Sequence, residues 1–159
     1  MWAERIIATR HLGASLAEQL GLSSLRKTAA IAPGVMGQTG IETGEIVRSV
    51  VSFLKPSAVI AIDALAAQDY ERLGKTIQIS DSGISPGSGV QNSRKELSQT
   101  TLGVPVLSVG VPTVIDGASL ARSLSENDTD CPDCTKADSA MVTPREVDRM
   151  IGHSAKFIA

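Results

Sequence analysis

Ser57-Ala-Val-Ile-Ala-Ile-Asp63 is an apolar run that ends in a carboxylate. It lacks the polar alternation of a half-exposed strand, so it predicts a strand over residues 58–62 that is buried on both faces, as in a parallel sheet. In open α/β sheets, ligands bind in the crevice beyond the carboxyl ends of the strands. A carboxylate at that place either does chemistry or caps the turn that follows. Asp63 is therefore the first candidate for a catalytic residue.

The segments on either side repeat the α/β theme. Thr39 and Glu42 have the spacing of a capping box, and the helix they open carries Ile46, Val47, Val50, Val51 and Leu54 on one face until Pro56 stops it. Before it, residues 29–32 read as a short strand followed by the loop Pro33-Gly-Val-Met-Gly-Gln-Thr-Gly40, which makes a βαβ unit the default. Residues 6–20 read as an amphipathic helix through Ile6, Leu12, Leu16 and Leu20. After Asp63 a short helical pattern runs to Leu73, and the alternation in Thr76-Ile-Gln-Ile-Ser80 predicts a half-exposed strand.

Asp81-Ser-Gly-Ile-Ser-Pro-Gly-Ser-Gly89 is a loop, and Ser93-Arg-Lys-Glu96 offers a capping box for a helix to about Leu102. Residues 104–109 predict a second buried strand, with Pro112 and Asp116 just past its end. A polar, acidic loop follows at about 125–140. Thr143-Pro-Arg-Glu146 then opens a terminal helix that packs Val147, Met150, Ile151 and Phe157. The whole describes a single α/β domain over 1–159, a three-layer αβα sandwich with a mostly parallel sheet.

Composition narrows the function classes. In 159 residues, 42% are hydrophobic but only 3% aromatic, so the core must be Val, Ile, Leu and Ala. A net charge of -2 and scattered Lys and Arg give no electrostatic reason for direct nucleic-acid binding. No apolar stretch is long enough to span a bilayer, and Met1-Trp-Ala-Glu-Arg5 lacks the start of a signal peptide, which predicts a cytoplasmic protein without membrane contact.

Cys131-Pro-Asp-Cys134 has half the spacing of a zinc ribbon or that of a redox pair. A structural zinc site wants four ligands, His11 and His153 are isolated, and the pair lies in a polar stretch rather than where a strand turns into a helix. No metal and no cofactor are expected. The glycines of residues 34–40 and 83–89 neither form GxGxxG nor end in Gly-Lys-Ser/Thr, so they read as loop walls rather than a phosphate cradle.

Six blocks carry a resemblance, in order along the chain: residues 33–43; Ile60-Ala-Ile-Asp-Ala-Leu-Ala66; Thr76-Ile-Gln-Ile-Ser-Asp-Ser-Gly83; Pro86-Gly-Ser-Gly-Val90; Arg94-Lys-Glu-Leu97; and Gly110-Val-Pro-Thr-Val-Ile-Asp116. Together they resemble the spore germination protease family, and Met141-Val-Thr-Pro-Arg-Glu-Val-Asp148 is similar to that family's C-terminal helix. The resemblance implies an endopeptidase that begins the breakdown of small acid-soluble spore proteins during germination. It also implies a zymogen with a propeptide, a homotetramer in the forespore or spore core, and a fold similar to that of hydrogenase maturation proteases.

The family's mechanism is usually assigned to two aspartates, and Ile60-Ala-Ile-Asp63 gives Asp63 one of those assignments. The other belongs to a strand that precedes the helix containing Thr9-Arg-His-Leu12, so the propeptide, that strand and the first aspartate are expected to lie outside these residues. Ser85 stands where the family often has a histidine.

Hydrolysis by carboxylates needs two of them sharing one water, one accepting a proton while the other supplies one. Asp116 is the nearest replacement partner, unless it caps a helix starting near Ala118; Asp81 or Glu42 could approach from loops. The Arg94-Lys95 pair either recognises an acidic substrate or is a solvated helix face. A second reading of the whole, from another class, is a catalytically inactive family member that binds partners.

Overall fold

The strand around Asp63 is longer than its apolar run predicts. In a computed structural model, which describes residues 6–86, 95–124 and 140–158, strand β1 is Val59–Ala67 and Asp63 lies at its middle, not at its end. Ala64-Leu-Ala-Ala67 stays extended because it has a long parallel partner, β3, Val106–Asp116. The register runs from Val59↔Val106 to Leu65↔Pro112, then skips Thr113 to Ala66↔Val114. Pro112 explains the skip, since it has no N–H to give the ladder and prolines inside sheets sit at bulges. Pro112 and Asp116, expected past the strand's end, both belong to it.

The bulge leaves carbonyl groups without ladder partners, and each finds one. The Pro112 carbonyl accepts the Gly74 N–H at 2.7 Å, and the Thr113 carbonyl accepts the Thr143 hydroxyl at 2.9 Å. Thr143 therefore serves the sheet rather than the predicted capping box, and helix α6, Val147–Ile158, starts after it. The change Thr143→Val keeps the side chain's shape and removes the donor. It should lower stability by about 1 kcal/mol, read as a lower denaturant midpoint at unchanged slope.

Two short strands complete a mixed sheet on the other edge of β3. Strand β2, Gln78–Ser80, pairs antiparallel through Gln78↔Gly110, and β4, Met141–Val142, pairs antiparallel near the end of β3. The order is β1-β3-β2, with β4 also on β3. Strand β1 is thus an outer strand of the described sheet, and Ile60 is 65% exposed, so burial on both faces does not hold for it.

The N-terminal expectations are corrected most. Residues 29–32 form no strand, so the βαβ unit does not exist there. Four apolar residues without alternation carry little strand signal, and this part of the chain is tied locally instead. The Thr9 hydroxyl donates to the Arg26 carbonyl at 2.7 Å and accepts the Thr28 N–H at 2.9 Å. The first helix, α1, is only Ala14–Gln19 and buries none of its residues. Gly13 interrupts the longer pattern, and Leu16 and Leu20 remain exposed.

The central helices follow their patterns more closely. A turn of helix, α2, Met36–Thr39, precedes α3, Thr43–Leu54. Its predicted face is the less exposed one, with Val51 buried. Lys55 ends α3 in the left-handed region, immediately before Pro56. Thr39 makes no capping box with Glu42; its hydroxyl bonds the backbone of Ile41. The predicted helix to Leu102 is only α4, Gln99–Leu102, and the capping box that opens it is Ser98 with Thr101. After β1 comes a 3-10 turn, Tyr70–Arg72, instead of a helix to Leu73.

The densest packing lies at the far end of the sheet. Ile115 is fully buried with Ala67 and Leu73, and Leu120 of α5, Gly117–Leu124, packs on them. Among the described residues no helix is long and apolar enough to cross a membrane. The polar loop at about 125–140, with Cys131 and Cys134, and the Ser93-Arg94 start of the predicted capping box lie outside the described residues, apart from Ala140.

Candidate active site

Asp63 is half-buried at the centre of β1, and the register defines what surrounds it. Its partner on β3 is Gly110, whose partner on β2 is Gln78. Directly paired residues point to the same face of a sheet, so Asp63, Gly110 and Gln78 form one rung on one face. A Cβ at Gly110 would run into the side chain of Leu65, which lies over it, so a larger residue there would have to push Leu65 aside. The carboxylate of Asp63 and the amide of Gln78 thus stand on either side of an apolar floor.

One rung earlier, the same face carries Ala61, Ser108 and Ser80. The buried Ser108 hydroxyl donates to the Ser80 carbonyl at 2.9 Å and lies 3.2 Å from the Gly83 carbonyl. The segment after β2 is fixed a second time by paired backbone bonds, Ile84 N–H to the Leu97 carbonyl at 3.0 Å and Leu97 N–H to the Ile84 carbonyl at 2.7 Å. Gly83 and Ile84 are thereby held in place at the start of the glycine-rich segment.

The other candidate carboxylates are committed elsewhere. Asp116 accepts the Ser119 N–H at 2.7 Å and caps α5. The Ser119 hydroxyl and N–H hold its carboxyl below the usual carboxylate value. It is also remote, since positions 110 and 116 of one strand are roughly 20 Å apart at the rise of extended chain. Asp116 and Asp63 therefore cannot share a water within this chain.

Glu42 accepts the Lys95 N–H at 2.7 Å and, with Glu45, pairs the Lys95 ammonium at 3.7 and 3.0 Å. The Glu45 hydrogen bond is the main reason the Lys95 pKa is raised. Lys95 thus fastens the strand-side segment to the start of α3, a role between elements that neither sequence reading foresaw. Arg94 lies outside the described residues. Asp81 is exposed in the loop after β2.

The cap gives a pH-dependent expectation. A carboxyl held below its unfolded value stabilises the fold at pH above that unfolded value, and the contribution is lost as pH falls through the folded one. Asp116→Ala should cost about 1 kcal/mol at neutral pH. Asp116→Asn, an equally good cap, should lose less at neutral pH and should flatten the acid limb of the stability curve, followed by denaturant titration at several pH values.

Two concavities among the described residues lie apart from Asp63. One of about 240 Å³ is formed by Thr9, Ala14 and Leu25 among others, and one of about 250 Å³ by Thr76, His153 and Phe157. Asp63 lines neither, and neither brings together groups that could hydrolyse an amide, so the register around Asp63 defines the candidate site. Among the described residues no group of three His, Cys, Asp or Glu side chains is arranged to hold a metal ion. Gln78 is the site residue the sequence left without a role. Its signal was the period of two, which sets it opposite Ile77 and Ile79.

Comparison with known proteins agrees with these blocks of sequence. The family described as germination protease matches residues 1–126. The germination protease of Clostridium acetobutylicum is 52% identical over 118 residues, 74% of this chain and 36% of that protein. That of a Geobacillus species is 56% identical over 117 residues, 74% and 31% of the two chains. That of Bacillus subtilis is 54% identical over 121 residues, 76% and 33%. The chain therefore spans about a third of the length of the curated relatives it matches.

Proposed function

The chain belongs to the germination protease family, and from that premise we propose that it is an endopeptidase acting on small acid-soluble spore proteins through Asp63. The observation that carries this reading is the position of Asp63. It lies in the family-matched block Ile60-Ala-Ile-Asp63, half-buried on a sheet face beside a glycine and an uncharged amide. There a carboxylate can hold a water against a peptide laid over the Leu65 floor.

In this mechanism a carboxylate takes a proton from water as the oxygen attacks the carbonyl carbon, and a carboxylic acid protonates the leaving nitrogen. Asp63 supplies one of the two groups. Asp116 and Glu42 do not supply the other, because each is bound to its own partner. The family further suggests a single domain of the three-layer αβα type found in hydrogenase maturation proteases, a homotetramer, and a location inside the forespore or spore. The mixed sheet flanked by helices is compatible with that architecture.

Incubation of the purified chain with a small acid-soluble spore protein tests the reading. Discrete internal cleavage products, seen by mass spectrometry, are expected. An intact substrate after prolonged incubation would overturn it in favour of a member that binds without cutting.

A further inference from the structure

We propose that Gln78 is a substrate-contacting residue of the Asp63 site, its side-chain amide donating to the carbonyl oxygen of the peptide bond held over Asp63. The inference rests on the hydrolytic reading of Asp63 and adds to it the group that receives the negative charge. Three observations carry it. Gln78 and Asp63 occupy one rung of one sheet face, on either side of Gly110. The two outer strands of such a rung are about 10 Å apart, so a peptide group laid across the glycine row is within reach of the side chains on both. The Leu65 side chain over Gly110 forms the apolar floor between them.

The third observation is that the neighbouring polar groups on this face are engaged and Gln78 is not. The Ser80 and Ser82 hydroxyls are 2.6 Å apart, and the Ser108 hydroxyl donates to the Ser80 carbonyl with the Gly83 carbonyl 3.2 Å away. The half-buried Gln78 amide has no hydrogen-bond partner among the described residues. No side-chain polar atom among the described residues is both buried and unpaired, so the Gln78 amide reaches solvent and its two donors are open to a ligand.

Reaction chemistry says what that would be. When water oxygen bonds to the carbonyl carbon, the water's proton goes to a carboxylate and the C=O electron pair moves onto oxygen. Collapse then re-forms C=O and breaks the C–N bond, and the nitrogen takes the proton that the carboxylate had accepted from water. The developing oxyanion needs a donor opposite the carboxylate, and one such donor is worth roughly 10²–10³ in rate. A main-chain carbonyl is common to every residue, so this contact fits any extended peptide segment and sets no side-chain preference.

Gln78→Met is the test, because methionine preserves length and packing but has no N–H. It should lower kcat about 100-fold and raise KM only a few-fold, at an unchanged unfolding midpoint. Parental kcat in the folded variant would overturn the proposal. Binding separates this result from failure of the hydrolytic reading. Calorimetric titration with a small acid-soluble spore protein should be about 2–10-fold weaker for Asp63→Asn/Gln78→Met than for Asp63→Asn. A parent that cuts nothing, with binding still weakened by the Gln78 change, removes the hydrolysis and keeps the contact. Equal binding by the two variants, or no binding by either, removes the contact.

Discussion

Replacing Asp63 by Asn should reduce cleavage of a small acid-soluble spore protein by roughly 10³-fold or more, with the unfolded fraction unchanged at working temperature. Asn has the size of Asp and can still accept a hydrogen bond, but it cannot take a proton from water or return one. The strand itself should tolerate the change. Asp63 caps no helix among the described residues: β1 continues past it to Ala67, and the next turn is capped by Asp69, which accepts the Glu71 N–H at 2.9 Å. The alternative role for a carboxylate at the end of a strand is thus taken by another residue. Asp116→Asn is the matched control, since it removes a carboxylate of β3 and should leave turnover intact. Cleavage by Asp63→Asn within a few-fold of the parent would show that Asp63 is structural and would dissolve the site built on it.

What could be read from the sequence follows how local each determinant is. The α3 stripe and the Asp116 cap are decided within a few residues, and both appear where expected. The length of β1 is not local. Ala64-Leu-Ala-Ala67 is rich in good helix formers, and only the β3 ladder beside it makes it strand. Pro112 reads as a stop, yet the chain continues through a bulge because Gly74 and Thr143, far apart in sequence, satisfy the freed carbonyls. The same holds for the site. Asp63 is visible in its motif, whereas the meaning of Gln78 depends on Gly110 pairing with both outer strands, which no single stretch contains.

The glycine-rich segment after β2 makes the strongest stability expectation. Gly83 has φ +100, and a Cβ there would lie 2.8 Å from the Leu97 carbonyl oxygen and 2.8 Å from Ser98 Cβ. Gly83→Ala therefore meets two independent costs. The backbone angle is one that residues with a Cβ adopt only at about 1–3 kcal/mol, and relief of the clash requires moving main chain, at a further 1–3 kcal/mol or so. The Leu97 segment has little freedom to give way, because Ile84 and Leu97 exchange both backbone bonds and Ser108 holds the Gly83 carbonyl. A loss of about 3 kcal/mol or more is expected in denaturant unfolding. Ser85→Ala, two residues on, makes a control for loop substitutions in general and should change stability by less than about 0.5 kcal/mol. The Gly83 change should also reach the Asp63 face. If Gly83 is displaced, the buried Ser108 hydroxyl loses one of its two acceptors and the segment that follows β2 pulls on Ser80, which loosens Gln78 against Gly110. Gly83→Ala assayed below its unfolding transition should then show a lower kcat than its folded fraction explains. A kcat that tracks the folded fraction alone would mean that the loop holds the fold together without ordering the rung on which Asp63 and Gln78 meet.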